Sequence, residues 1–155
     1  MKKNTQFEDE TFANIDKDKP KEITYRPELS NVNPKAKIGK DCTLHSHIWI
    51  SDGVKIWDRV RIQAFVFIPC GITIESDVFI GPGVIFTNDP KLSLNREKWA
   101  KTRIRRGAKI GAGAIINAGV TIGKQATIGA GAVVLSSVPK KETWVGVPAH
   151  KIWKA

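Results

Sequence analysis

Residues 104–134 read IRRGAKIGAGAIINAGVTIGKQATIGAGAVV. A large apolar residue returns every six positions, at Ile104, Ile110, Ile116, Ile122, Ile128 and Val134. Going backwards, the step resumes at Phe86 and runs through Ile80, Ile74, Ile68, Ile62, Ile56, Ile50, Leu44 and Ile38 to Val32. The whole chain is 41% hydrophobic, so sixteen apolar positions in a row arise by chance on the order of once in a million. Two residues before each of these lies a small or β-branched residue, such as Val54, Val60, Ala108, Ala114 or Val120, or Cys42. Of the thirteen glycines, all but Gly146 fall one or three residues after the large apolar residue.

Two inward positions separated by one residue describe a short strand, since side chains alternate across a strand. Glycine just after it supplies the positive φ of a sharp corner. Three such sides close a coil of 18 residues, whose strands hydrogen-bond to the coils before and after. A helix is excluded, because a period of six keeps no helical face apolar and the glycines would weaken it. A flat parallel sheet is excluded because no helical crossovers join the strands. The expectation is an all-β parallel β-helix of five coils over residues 31–138. A polar, charged arm precedes it (1–30), and a terminal strand and tail follow (139–155).

Between Phe86 and Ile104 the pattern fails, although Leu92 keeps the register. The expectation for residues 87–103 is an extruded loop leaving between the third and fourth coils, with an irregular coil as the alternative. A loop of that length is usually functional or disordered, and Trp99 needs a surface to cover.

The net charge of +10 is uneven. Residues 1–30 hold six Lys/Arg against seven Asp/Glu, whereas residues 87–109 hold eight against two. That concentration favours an anionic partner. Nucleic acid is disfavoured, because no alternation of aromatic and basic residues accompanies the charge. No apolar run is long enough to span a bilayer, and no secretory leader is evident, so a cytoplasmic location is expected. Cys42 and Cys70 form no disulfide framework and are read as thiols.

The units IGKDCT, IGPGVI, IGAGAI, INAGVT, IGKQAT and IGAGAV, from residue 32 to about 152, resemble the hexapeptide-repeat acyltransferases. The resemblance implies a left-handed coil, an exception to the usual right-handed crossover. GPGVIFTND (81–89), the basic loop, and VGVPA (145–149) are similar to the branch that N-acetylates nucleotide-linked 3-amino sugars. This implies acetyl-CoA as co-substrate, a homotrimer, and a place in making cell-surface polysaccharide precursors such as those of lipopolysaccharide. An O-acetyltransferase acting on a hydroxyl and a non-catalytic assembly protein remain alternatives; relatives of the former carry a histidine in the loop, which is absent here.

The resemblance puts Asn88 at the substrate turn, where its amide would hold the sugar or the reacting carbonyl; an asparagine serving a turn is the plainer reading. His47 is the candidate proton acceptor, or an ordinary corner residue. Asp89, Arg103 and Arg105 are candidates for the acceptor, with guanidinium forks suited to diphosphate oxygens; Lys101, Arg106 and Lys109 belong to the same basic cluster. Ala112, Ala130, Leu135, Ser136, His150 and Lys151 match positions that hold CoA in the family. The chain departs from its pattern there, with Leu135-Ser136 in place of Thr-Lys and His150-Lys151 in place of Arg; Lys140 and Lys141 could supply the missing cations. No metal is expected, because His45 and His47 lack a third widely spaced histidine. Trp49, Trp57, Phe65 and Phe67 are set aside for contacts between copies or for capping the core.

Overall fold

The structure is a computed structural model that describes residues 27–93 and 95–152. Nearly all of the N-terminal arm (1–26) and the end of the tail (153–155) lie outside the described residues. A short 3-10 turn, Pro27–Leu29, leads into strands of two or three residues that wind through three parallel sheets. The first side stacks six strands, with Val32, Ile50, Ile68, Phe86, Ile116 and Val134 inward. The second side stacks Ile38, Ile56, Ile74, Ile104 and Ile122. The third stacks Leu44, Ile62, Ile80, Ile110 and Ile128, with Trp144 as the last rung.

The core is these columns together with the small inward positions that precede them, all nearly inaccessible. Each fully buried isoleucine contributes roughly 1.5–3 kcal/mol relative to exposure. Cys42 lies in that second column, its thiol donating to the Trp57 carbonyl at 3.1 Å.

The all-β class and the parallel β-helix follow the repeat, but the coil count does not. There are six turns, the last incomplete. Rung partners lie 18 residues apart, as in Ile50 to Ile68. In the last turn the spacing shrinks to 16: Val138 bridges Ile122 and Trp144 pairs with Ile128. The shortened corner holds Leu135–Val138, where Ser137 Oγ accepts the Thr121 N–H at 3.0 Å. The chain then turns at Gly146–Ala149, and strand His150–Ile152 returns antiparallel to Thr143–Val145.

The loop also departs from expectation in where it leaves. It emerges inside the fourth turn, after the first side, and not between two coils. Partners across it are 30 apart, as in Phe86 to Ile116, so it inserts twelve residues without disturbing the register. Leu92 is 86% exposed and makes no rung.

Two kinds of glycine build the corners. Those in the third position after the apolar residue have positive φ, 66° at Gly131 for example, and share the position with Asp41, His47, Arg59, Phe65, Asp77, Gln125 and Lys141. Those in the first position do not have positive φ. There the next coil passes too close for a side chain: a Cβ on Gly111 would lie 2.5 Å from the Ala130 nitrogen. Corner geometry accounts for the first kind, and close approach between rungs for the second.

Candidate functional site

The candidate residues fall on the corners and outer faces. The corner between the first and second sides carries the loop. Thr87 and Asn88 sit one rung above Pro69-Cys70. The Asn88 amide nitrogen donates to the Cys70 carbonyl and lies as close to its sulfur, both at 3.3 Å. A donor is required there by the carbonyl, which fixes the amide's orientation. Asn88 Oδ1 accepts no hydrogen bond from any described residue. Its backbone carbonyl closes the loop neck by accepting the Ala100 N–H at 2.8 Å. Thr102, buried just beyond the neck, accepts the Gly119 N–H at 3.0 Å.

The loop folds back along its own corner. Asp89 accepts the Lys91 N–H at 3.0 Å and the Ser93 hydroxyl at 3.5 Å, bracing the first turn. Asn95 caps the 3-10 turn Arg96–Lys98 by accepting the Glu97 N–H. Arg96 reaches Asp52 at 3.3 Å, two rungs towards the N-terminus, and lies 5.2 Å from the centre of the half-buried Trp99 ring. The loop thus has a shape, held by a small number of exposed polar contacts. Leu135 and Ser136 are exposed on the same corner, below the loop.

The corner between the third and first sides is different. Three consecutive rungs here are Gly81-Pro82-Gly83, Gly111-Ala112-Gly113 and Gly129-Ala130-Gly131, a shallow trough with a floor of backbone and methyl groups. At its N-terminal end the corner becomes bulky. His47, at φ 58°, stacks its ring on Phe65, with centroids 4.8 Å apart and planes 20° from parallel. The His47 N–H donates to the Leu29 carbonyl at 2.6 Å. At the other end lie the exposed Val147 and His150, the latter's Nδ1 lying 3.3 Å from the Pro148 carbonyl oxygen. His45 is exposed on the same corner as His47.

The remaining candidates lie elsewhere. Arg103 points outward from the second side between Thr73 and Thr121. Arg105 is bound to Glu75 at 2.7 Å, and the other oxygen of Glu75 accepts the Arg106 N–H at 2.9 Å. Lys151 pairs with Glu142 at 2.8 Å. Glu142 also accepts the Trp144 ring N–H at 2.9 Å; the Lys151 and Trp144 hydrogen bonds hold its carboxyl below the ordinary carboxylate range. Within one chain, then, Asn88, Asp89, Leu135 and Ser136 share one corner. His47, Ala112, Ala130 and His150 share another, and the first side runs between the two. Among the described residues no group of three or more His, Cys, Asp or Glu is placed to hold a metal ion, and no helix is long and apolar enough to cross a membrane.

That intervening side bears an outward ladder of Asn31, Trp49, Phe67, Ile85, Ile115 and Val133, with no charge on it. Trp49 is 48% exposed, Ile85 44% and Phe67 42%. The sequence periodicity flagged Trp49 and Phe67 singly. What it missed is that they continue into one stripe, because Ile85 and Ile115 meet only across the loop.

A family model described as bacterial transferase hexapeptide (six repeats) matches residues 101–136. No curated protein matches the chain by sequence. Among solved structures, the acetyltransferase domain of PglB from Neisseria gonorrhoeae, in complex with acetyl coenzyme A, is 26% identical. It superposes with a TM-score of 0.70 over 80% of this chain and 55% of its own. A hexapeptide-repeat acetyltransferase from Vibrio cholerae, complexed with acetyl coenzyme A, is 27% identical (TM-score 0.66, 76% of this chain, 69% of its own). The N-acyltransferase AntD from Bacillus cereus, in complex with dTDP and 3-hydroxybutyryl-CoA, shares the fold at 21% identity (TM-score 0.66, 85% and 89%). The chain spans about half the length of the first of these.

Proposed function

We propose that this chain, which carries the hexapeptide repeats of the bacterial transferases over residues 101–136, transfers an acetyl group from acetyl-CoA to the amine of a nucleotide-linked amino sugar. The observation that carries the reading is the pairing of a flat glycine–alanine trough with a structured loop on opposite edges of an uncharged apolar face. An extended thioester suits the trough: its amides meet exposed backbone, and nothing but methyl groups and a proline ring stands on the floor. Likeness to two acetyltransferases bound to acetyl coenzyme A supports the donor.

The site is completed between copies. The apolar first side buries against its neighbour in a closed homotrimer, which sets the trough of one copy against the loop of the next. Asn88 Oδ1 is then the group that receives the sugar amine, because the other end of its amide is committed to Cys70. The neutral amine attacks the thioester carbonyl, the C–N bond forms, and the C–S bond breaks. The amine proton passes to His47 or to the departing sulfur. Orientation supplies most of the acceleration, since a thioester is already activated. Arg103 and the basic residues around it attract the acceptor's diphosphate, while Ala112, Ala130, Leu135, Ser136, His150 and Lys151 line the path of CoA.

The test is release of free CoA thiol from acetyl-CoA against a panel of nucleotide-linked 3-amino and 4-amino sugars and the matching hydroxyl sugars. Turnover on an amine, reduced about a hundredfold in Asn88→Ala, is the expected result. Turnover on hydroxyl sugars alone would put the chain among O-acetyltransferases, and no turnover with any acceptor would leave it a structural protein.

A further inference from the structure

We propose that the outer face of the third side holds a separate binding site for a nucleoside phosphate, centred on Phe79. The outward ladder of that side reads Thr43, Arg61, Phe79, Lys109, Thr127, Thr143 by register. Every member but one is polar. Phe79, 36% exposed, has Arg61 on the rung before it and Lys109 on the rung after, each about 4.8 Å away along the stack. Neither cation has an ion-pair partner among the described residues. Arg59, at the edge of the same place, is by contrast committed to Asp77 through two contacts of 2.6 and 3.1 Å.

These residues line one cavity of about 460 Å³, together with Asp41, a volume within the roughly 300–1,000 Å³ common for small-ligand sites. The parts correspond to three pieces of a nucleotide. An aromatic face receives a base by stacking. Two unpaired cations receive phosphate oxygens. The Asp41 carboxylate can accept from the hydroxyls of a ribose. A free sugar would leave both cations unused. A polynucleotide would carry further phosphates past Asp41 and Asp77, and it would find a single aromatic rung. Asp41, Arg59 and Asp77 belong to the corner between the second and third sides, whereas the trough lies along the opposite edge of the third side. The site therefore does not depend on the transferase reading.

The experiment measures binding of ADP, UDP, inorganic pyrophosphate and a thymidine oligonucleotide to the full chain by calorimetry, with saturating acetyl-CoA present to fill any CoA site. One nucleotide per chain is expected, tighter than pyrophosphate and not displaced by the oligonucleotide. Phe79→Leu keeps the apolar bulk and should weaken the nucleotide about tenfold or more through loss of stacking, with pyrophosphate unchanged; Phe79→Tyr should restore it. The double variant Arg61→Ala, Lys109→Ala should lose both ligands. All four substitutions face outward and should leave the thermal midpoint in place. Nucleotide affinity untouched by Phe79→Leu, or pyrophosphate as tight as nucleotide, overturns the proposal. Preference for the oligonucleotide would make the patch a nucleic-acid surface instead. Loss of acetyl transfer in Phe79→Leu alongside nucleotide binding would fold the cavity into the acceptor site and end its independence, whereas intact transfer supports it.

Discussion

At the scale of single residues, the corners separate two demands that look the same in sequence. Gly111 and Gly131 both follow an isoleucine of the repeat. Gly131 has φ 66° and open space where a side chain would go; Gly111 has ordinary φ and the backbone of Gly129-Ala130 within 2.9 Å of that point. Gly131→Ala therefore costs about 1 kcal/mol of left-handed strain, while Gly111→Ala forces two coils apart and costs about 3 kcal/mol or more. Chemical denaturation of the two variants should rank them in that order; equal losses would refute the close-approach account. The positions of the isoleucine columns were legible from the sequence because each column is a fixed step along the chain. The reason for Gly111 was not, because the atoms that forbid a side chain belong to a rung 18 residues later. The same holds for Asn88. Its place at a turn could be read, but its bond to Cys70 needs the coil to be closed.

At the scale of elements, the loop is an insertion into an otherwise continuous coil. Its location within the fourth turn escaped the sequence because the last turn is short by two residues, which makes the repeat count ambiguous at that end. Twelve residues separate the loop-bearing turn from a regular one. Removing residues 89–100 would join Asn88 to Lys101 and restore a six-residue step from Phe86 to Ile104. That variant should keep its β-sheet circular dichroism and its cooperative melting, and lose acetyl transfer. A collapsed fold would show the loop to be structural.

The C-terminal hairpin makes a second prediction at this scale. Glu142, held low by Lys151 and then Trp144, favours folding while ionised. A depressed carboxyl contributes stability above its unfolded titration range and loses it as pH falls through the folded one. Wild type should therefore lose more thermal stability than Glu142→Gln between neutral pH and pH about 3. The comparison is one of melting midpoints, and parallel curves would count against the pairing.

At the scale of the whole molecule, charge divides the three sides. The second carries Lys37, Lys55 and Arg103 outward and the third Arg61 and Lys109, while the first carries no charge and the largest exposed apolar groups. Copies of a strongly basic chain meet with least repulsion on that first side, where apolar area is also available to bury. The trough and the loop flank this side, so neither edge alone offers both halves of a transfer site. The measurement that tests this most directly is complementation between two defective chains. One carries Ala112→Trp, which fills the trough, and the other lacks residues 89–100. Each alone should be inactive in acetyl-CoA thiol release with an amino-sugar acceptor. Co-expressed and purified as mixed assemblies, they should recover a substantial share of wild-type turnover, because some interfaces pair an intact trough with an intact loop. Mixed assemblies no more active than either parent would contradict a catalytic site shared between copies.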